Sequence, residues 1–441
     1  IVVSSFAYAS SADAGEVVER THVEDLDFHR LRFANGVTVN LKQTDFKEKQ
    51  ILIQGNLGEG ALSQAPSVET SAVDFYADSA FNGGGLGAHD NEELRRLTAG
   101  RTVGTGLSSG EDRFILGGAT TAEDLLLQCE LMCAWLTDPG WREDGMVQMK
   151  RQVPLIFQGI KHQHQGPMIL EFLPAIYSSD PRFGLPPQEA LEAVAMEQVQ
   201  AWILPQLADA PLELSFVGDF EVEAVVDACA RTFGKLPPRR ALRDYPEHRE
   251  VPAAKTGLKQ LHTVATQVPK SLVLIHYPVA DGMESARRRG LSFLGTVLND
   301  RLRLEVREKL GAAYSPGAGA QISEVFPGNG MIMIQAMADP ENVDTLVEAC
   351  LAAADSLAVD GVTQEETDRL REPILNQIRD ARRTNGYWLS AIEDAHRDPD
   401  SIDDIRTVVG FYESIDAATL SKMAAEYFGK ARANVLVVDP E

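Results

Sequence analysis

Positive charge is in short supply in this chain. Lys and Arg number 41 against 65 Asp and Glu, leaving a net charge of −24 over 441 residues. Nucleic-acid binding needs clustered Lys and Arg to neutralise phosphates, so that class is excluded. Long apolar runs are also missing, and none approaches the ~20 residues that span a bilayer. Cysteine is rare: Cys129, Cys133, Cys229 and Cys350 are too few for a disulfide scaffold. They lie in apolar, helix-like stretches without a CxxC or Cys/His cluster, and read as small core residues. A start methionine is lacking as well. The opening IVVSSFAYASSADAG carries no basic segment, so residues 1–20 read as a linker in preference to a signal-peptide remnant.

What is present is ordinary globular material, 44% hydrophobic and 24% charged. A single core stops growing near ~250–300 residues, so at least two domains are expected. RLRFANGVTVNLKQTDF alternates around Asn35-Gly36 and predicts a β-hairpin. ILIQGNLGEG continues as a strand. SVETSAVDFYADSAF predicts a helix closed by the loop NGGGLGAHD, and NEELRRL a second short helix. Two strands follow in TVGTGLSSGEDRFILGGAT, then long helices from residue 122 and around 143–162. A helix over 197–207 leads into the strand PLELSFVGD. Residues 237–254, rich in proline and charge, have linker composition.

The order of elements then repeats. AEDLLLQCELMCAWLTD resembles PENVDTLVEACLAAADSLAVD, with Cys133 against Cys350 at an offset of 217. MEQVQAWILPQLADAPLELSFVGD resembles AATLSKMAAEYFGKARANVLVVD, with Met196 against Ala417 at an offset of 221. Two landmarks this close in offset indicate a duplication. The expected fold is α+β: two duplicated domains of about 220 residues, near 21–236 and 255–441, each an antiparallel-rich sheet with helices packed on one face.

Leu291, Leu294, Leu298, Leu302 and Val306 mark the apolar stripe of a helix that runs into NDRLRLEVREKLGAAYSPGAGA, residues 299–320. Gly311 is placed to cap it, Arg307 lies at its end, and Tyr314 opens the next strand. This stretch resembles the Arg-x6-Tyr signature of the pitrilysin/insulinase family of zinc metallopeptidases. RFANGVTVNLKQTDF, VGDFEVEAVVDACARTFGKLPPR and the C-terminal segment are similar to that family too. The resemblance implies one half of a clam-shaped peptidase, in which each half contains two such domains. The catalytic half of the family carries an inverted zinc motif, His-x-x-Glu-His, on a helix of its first domain, and a further Glu about 75 residues on.

Set against that pattern, TSAVDFYADSAF places Asp74 and Asp78 at the two His positions and Ala77 at the Glu position. The base is missing, and no Asp or Glu occurs between Asp144 and Glu171 to serve as the distal ligand. The resemblance therefore implies a zinc-less half. It would have no cofactor of its own and no independent activity, and its zinc-bearing sibling would lie on the same polypeptide or on a partner subunit. Arg307 and Tyr314 would reach across the chamber and donate hydrogen bonds to the scissile carbonyl of a peptide substrate. The alternative is a structural or peptide-binding homologue without a role in catalysis. A free-standing hydrolase with an unrecognised site is the third reading. The family occurs in bacterial periplasm, cytosol and organelles, and a soluble protein of bacterial periplasm or cytoplasm is expected.

Other candidates read as structural. His89-Asp90-Asn91-Glu92-Glu93 mimics a zinc motif, but Asp90 or Asn91 is a helix N-cap with early acids that suit the helix dipole. His162 and His164 are two apart, a poor helical pair, and read as surface residues. NGGGLG lacks the lysine and strand order of a nucleotide site.

Overall fold

The computed structural model describes residues 6–310 and 316–441; the side chains of 307–310 also lie outside that description. Two sheets organise the chain. The first contains β1 (Val17–Val23), β2 (Phe28–Phe33), β3 (Thr38–Gln43), β4 (Ile51–Leu57), β5 (Thr105–Ser109), β6 (Phe114–Thr120) and β7 (Leu212–Gly218). The second contains β8 (Lys259–Val264), β9 (Ser271–Val279), β10 (Gly317–Ile322), β11 (Gly330–Ala338) and β12 (Asn434–Pro440).

The helices of the first half are α1 (Val68–Gly83), α2 (Asn91–Leu97), α3 (Leu125–Thr137), α4 (Asp144–Ile160) and α5 (Leu173–Ile176). They are followed by α6 (Gln188–Ala193), α7 (Met196–Asp209), α8 (Val222–Arg231) and the short α9 (Pro246–Arg249). The second half adds α10 (Ser285–Leu310), α11 (Val343–Val359), α12 (Gln364–Ala381), α13 (Asn385–Ile392), α14 (Ser401–Ser414) and α15 (Ala417–Tyr427).

The expected duplication is visible in the strand orders. The first sheet runs β1-β2-β3-β7-β4-β6-β5 and the second β10-β11-β9-β12-β8. Without β1 and β2 the first order matches the second read backwards, strand for strand. The equivalent pairs β3·β7 and β12·β8 are the parallel ones, and the other pairs are antiparallel. The hairpin turns where the sequence placed it: Leu31 opposes Val39, and Gly36 takes a φ of +88° that glycine adopts without Cβ strain. Asn35 Nδ2 pins this turn to the carbonyls of Phe233 and Leu236, both at 2.9 Å.

Each sheet buries one face under its own helices. Phe81, Met132, Val199 and Ile203 cover the first; Leu294, Leu298, Leu346 and Leu420 cover the second. The opposite faces are covered too, and reciprocally. Phe172 and Ile176, from a π turn over Met168–Phe172 and α5, pack on Leu272, Leu274, Leu436 and Val438 of the second sheet. Trp388, Ile392 and Ala395, from α13 and the turn after it, pack with Phe28 and Val217 of the first. Side chains alternate across a strand, so β9 serves both cores at once. Val273, Ile275 and Tyr277 face its own helices, while Leu272 and Leu274 face the other half.

A buried polar seam completes the joint. Glu213 accepts from Asn40 Nδ2 at 2.7 Å and from the backbone N–H groups of His396 and Arg397 at 2.8 and 2.9 Å. Arg113 pairs with Asp394 across the same joint. The four cysteines are free, with Cys129, Cys229 and Cys350 buried. Among the described residues, no helix is long and apolar enough to cross a membrane.

Candidate functional site: helix α1 and the cleft it borders

Helix α1 begins in a capping box, with Ser67 Oγ accepting from the Thr70 N–H and the Thr70 hydroxyl oxygen accepting from the Ser67 N–H. Asp74 and Asp78 follow one turn apart and face the end of edge strand β5. Asp74 Oδ1 accepts from Ser109 Oγ at 2.5 Å, and Asp78 Oδ1 accepts from Ser109 N at 2.8 Å. Both carboxyls are pushed above the usual carboxylate range, chiefly by desolvation, with the Ser109 contacts opposing the rise. Ala77 is fully buried between Val73 and Phe81 on the core side of the helix.

These residues do not fit a zinc ion. One oxygen of each aspartate is committed to Ser109, and the base position is an enclosed methyl group. Among the described residues, no three His, Cys, Asp or Glu side chains converge as metal ligands.

Arg307 belongs to α10, whose stripe Leu291, Leu294, Leu298, Leu302 and Val306 is buried as the sequence indicated. The Arg307 side chain, Gly311 and Tyr314 lie outside the described residues. Asp90 N-caps α2, accepting from Glu93 N at 2.8 Å. His89 is buried between Phe6 and Tyr8, and its Nε2 accepts from Ala7 N at 3.1 Å. His162 is exposed, but the surface reading of His164 needs correction. It is 6% exposed, with Nε2 2.6 Å from the Lys270 carbonyl, because a contact 106 positions away satisfies the ring.

Sequence reasoning missed a cleft of about 770 Å³ between the halves. One wall is the Asp74 face of α1 with Ser109–Glu111. The other is residues 321–326 and 329–331, where β10 turns into β11. Pairing of such distant segments leaves no spacing signal in the chain.

Comparison with known proteins agrees with this architecture. Residues 195–374 match the family model described as Peptidase M16 inactive domain. The chloroplastic stromal processing peptidase of Pisum sativum is 21% identical over 93% of this chain. This chain spans only 36% of that protein's length. The periplasmic protease PqqL from Escherichia coli has the same fold, with a TM-score of 0.78 at 16% identity, over 99% of this chain and 48% of that one. A peptidase M16 inactive domain from Pseudomonas fluorescens matches with a TM-score of 0.74 at 14% identity, over 94% of this chain and 98% of that domain. These matches bear out the family resemblance read from the sequence.

Proposed function

We propose, for a chain with the fold of the M16 peptidases and a match to their inactive domain, that it is the non-catalytic half of a zinc metalloendopeptidase. It forms a wall of the peptide chamber, and a zinc-bearing sibling half supplies the metal and the base. The domain limits that go with this reading are 21–236 and 255–441, joined by 237–254, with the first limit moved back from the expected 21 to Val17. Residues 17–20 pair with β2 as part of β1 instead of forming a linker. The observation that carries it is α1. The helix stands where a zinc helix is expected, yet it holds Asp74, Ala77 and Asp78 in roles that bind strand β5 and fill the core. Coverage of about half of PqqL supports a half-molecule.

In this reading Arg307 and Tyr314 act on the substrate of the assembled enzyme. A guanidinium and a phenol are both hydrogen-bond donors. Aimed at the scissile carbonyl, they stabilise negative charge as it develops on the oxygen. Their benefit then appears mainly in the transition state, so their loss lowers kcat more than it raises KM. The test is a peptide-cleavage assay of Tyr314→Phe and Arg307→Ala with the zinc-bearing half present, beside a thermal melt. Turnover is expected to fall at least about tenfold with folding intact. Wild-type turnover in both variants would refute the role and favour a structural or peptide-binding homologue.

A further inference from the structure

We infer that the cleft between the two halves of this chain is a binding site for a basic peptide side chain, with Asp74 and Glu111 as its anionic wall. The inference concerns binding by this chain alone, so it holds whether or not a catalytic sibling exists.

The cavity, about 770 Å³, lies within the ~300–1,000 Å³ typical of ligand sites. Phe75, Tyr177, Phe183 and Phe326 line it, and Tyr177 and Phe183 stack at 3.9 Å between centroids. Such faces suit the methylene stem of a long side chain and the cation at its tip.

The cations around the cleft are already engaged. Arg182 binds Asp180 through Nε at 2.8 Å and Nη2 at 2.5 Å, and donates to the His248 and Glu250 carbonyls, both at 2.7 Å. Its guanidinium also lies 5.2 Å from the Phe326 ring centre. Arg288 pairs with Glu324 at 2.6 Å and with Asp404 at 3.0 Å. Arg249 donates to the Val325 carbonyl at 3.0 Å. The hydroxyl of Ser109 is engaged by Asp74. The His248 ring sits with Nδ1 2.7 Å from the Leu62 carbonyl, which can only accept, so Nδ1 carries the hydrogen there.

Two carboxylates form no ion pair within 4 Å among the described residues, although the Arg182 guanidinium is near enough to favour the charged form of Glu111. Glu111 is exposed and opens into the cleft. Asp74 has only the serine. Desolvation pushes both carboxyls up and a like-charged neighbour adds to it, Asp112 for Glu111 and Asp78 for Asp74, while Arg182 opposes the rise at Glu111 and Ser109 opposes it at Asp74. A donor-rich organic cation entering the cleft would relieve both. A peptide is the occupant that matches the size, because a lone ammonium or guanidinium group would leave most of the volume and the aromatic walls unused.

The experiment uses the full chain and a short fluorescent peptide with one central arginine, read by anisotropy near neutral pH at low salt. Replacing that arginine by citrulline, which keeps the shape and removes the charge, is expected to weaken binding about tenfold. Glu111→Gln and Asp74→Asn are each expected to weaken the arginine peptide several-fold, and the double variant further. Asn at position 74 still accepts from Ser109, and Glu111 is not packed in the core, so both variants keep their fold; a melt checks this. Equal binding of the arginine and citrulline peptides, or unchanged affinity in both variants, overturns the inference. Free spermidine competing at the peptide's own affinity overturns a peptide as the occupant.

Discussion

Replacing Phe172 by alanine tests whether the two halves hold each other together. Phe172 is fully buried, but against the sheet of the other half, where it meets Leu272, Leu274, Leu436 and Val438. Removing an aromatic side chain from such a site forfeits its transfer energy and leaves a cavity, together about 3–5 kcal/mol. Set against a typical domain stability of ~5–15 kcal/mol, that is a large fraction. Where the loss is felt decides the issue. Of the four tryptophans, Trp135, Trp141 and Trp202 lie in the first half. Trp388 comes from α13 and packs on the first sheet. Tryptophan fluorescence therefore reports on the first sheet and its helices, while the deleted contacts lie on the second. If reciprocal packing couples the halves, urea unfolding of Phe172→Ala shifts the fluorescence midpoint by the equivalent of several kcal/mol, together with the far-UV circular dichroism. An unchanged fluorescence midpoint, or a total loss below about 1 kcal/mol, would refute the coupling.

Further expectations follow from single groups. Ala77→Glu, the first step in rebuilding a zinc motif, places a carboxylate among Val73, Tyr76 and Phe81 and should cost at least about 2 kcal/mol in a denaturant melt. A melt unchanged from wild type would show that the position can open. The purified chain is expected to take up no stoichiometric zinc, because the Asp74 and Asp78 oxygens that bind Ser109 are engaged and Ala77 offers no ligand. One tightly held zinc per chain by elemental analysis would contradict this. Burial pushes the His276 imidazole down to about 4 from an ordinary 6.5. Between those values the unfolded chain binds the proton and the folded chain does not, so this contribution is complete above pH 6.5 and is lost as pH falls towards 4. His276→Gln should shrink the stability difference between about pH 7 and about pH 4.5 by about 2 kcal/mol, measured by urea titration at both. An unchanged difference would mean that the ring titrates normally.

Much of the fold was legible because each half repeats local signals. Asn35-Gly36 fixed a hairpin without help from distant residues, and Cys133 and Cys350 kept their places in α3 and α11. The two helices bury the same stripe at an offset of 221, which sets the buried Cys129 against the buried Cys350, whereas Cys133 is only half-buried. The covering of the outer faces was not legible. Phe172 sits in a π turn without a clean helical period, and Ile392 ends a helix of only eight residues. Neither segment signals that its apolar side chains belong to the opposite sheet. His164 was misread for a similar reason, since polarity points to the surface only until a carbonyl from another element receives the ring. The cleft brings residue 74 against residues near 324, a pairing that no spacing predicts.

The degenerate helix shows where sequence and structure each end. In the register that the family resemblance implies, the expected ligand and base positions of α1 hold aspartate, alanine and aspartate. The sequence leaves open whether the site is merely empty. The geometry shows that the positions have been taken over. Asp74 and Asp78 hold strand β5 through the hydroxyl and N–H of one residue, Ser109. Ala77 fills a core position with no room for a longer side chain. Replacing Asp74 or Asp78 by histidine would release a sheet edge before it offered a ligand, and replacing Ala77 would disturb the core. In the proposed reading, the absence of a metal site is thus built into the packing. Apart from the role proposed for Arg307 and Tyr314, what α1 and the opposing strands still present to a ligand is a cleft with aromatic walls and two carboxylates, Asp74 and Glu111.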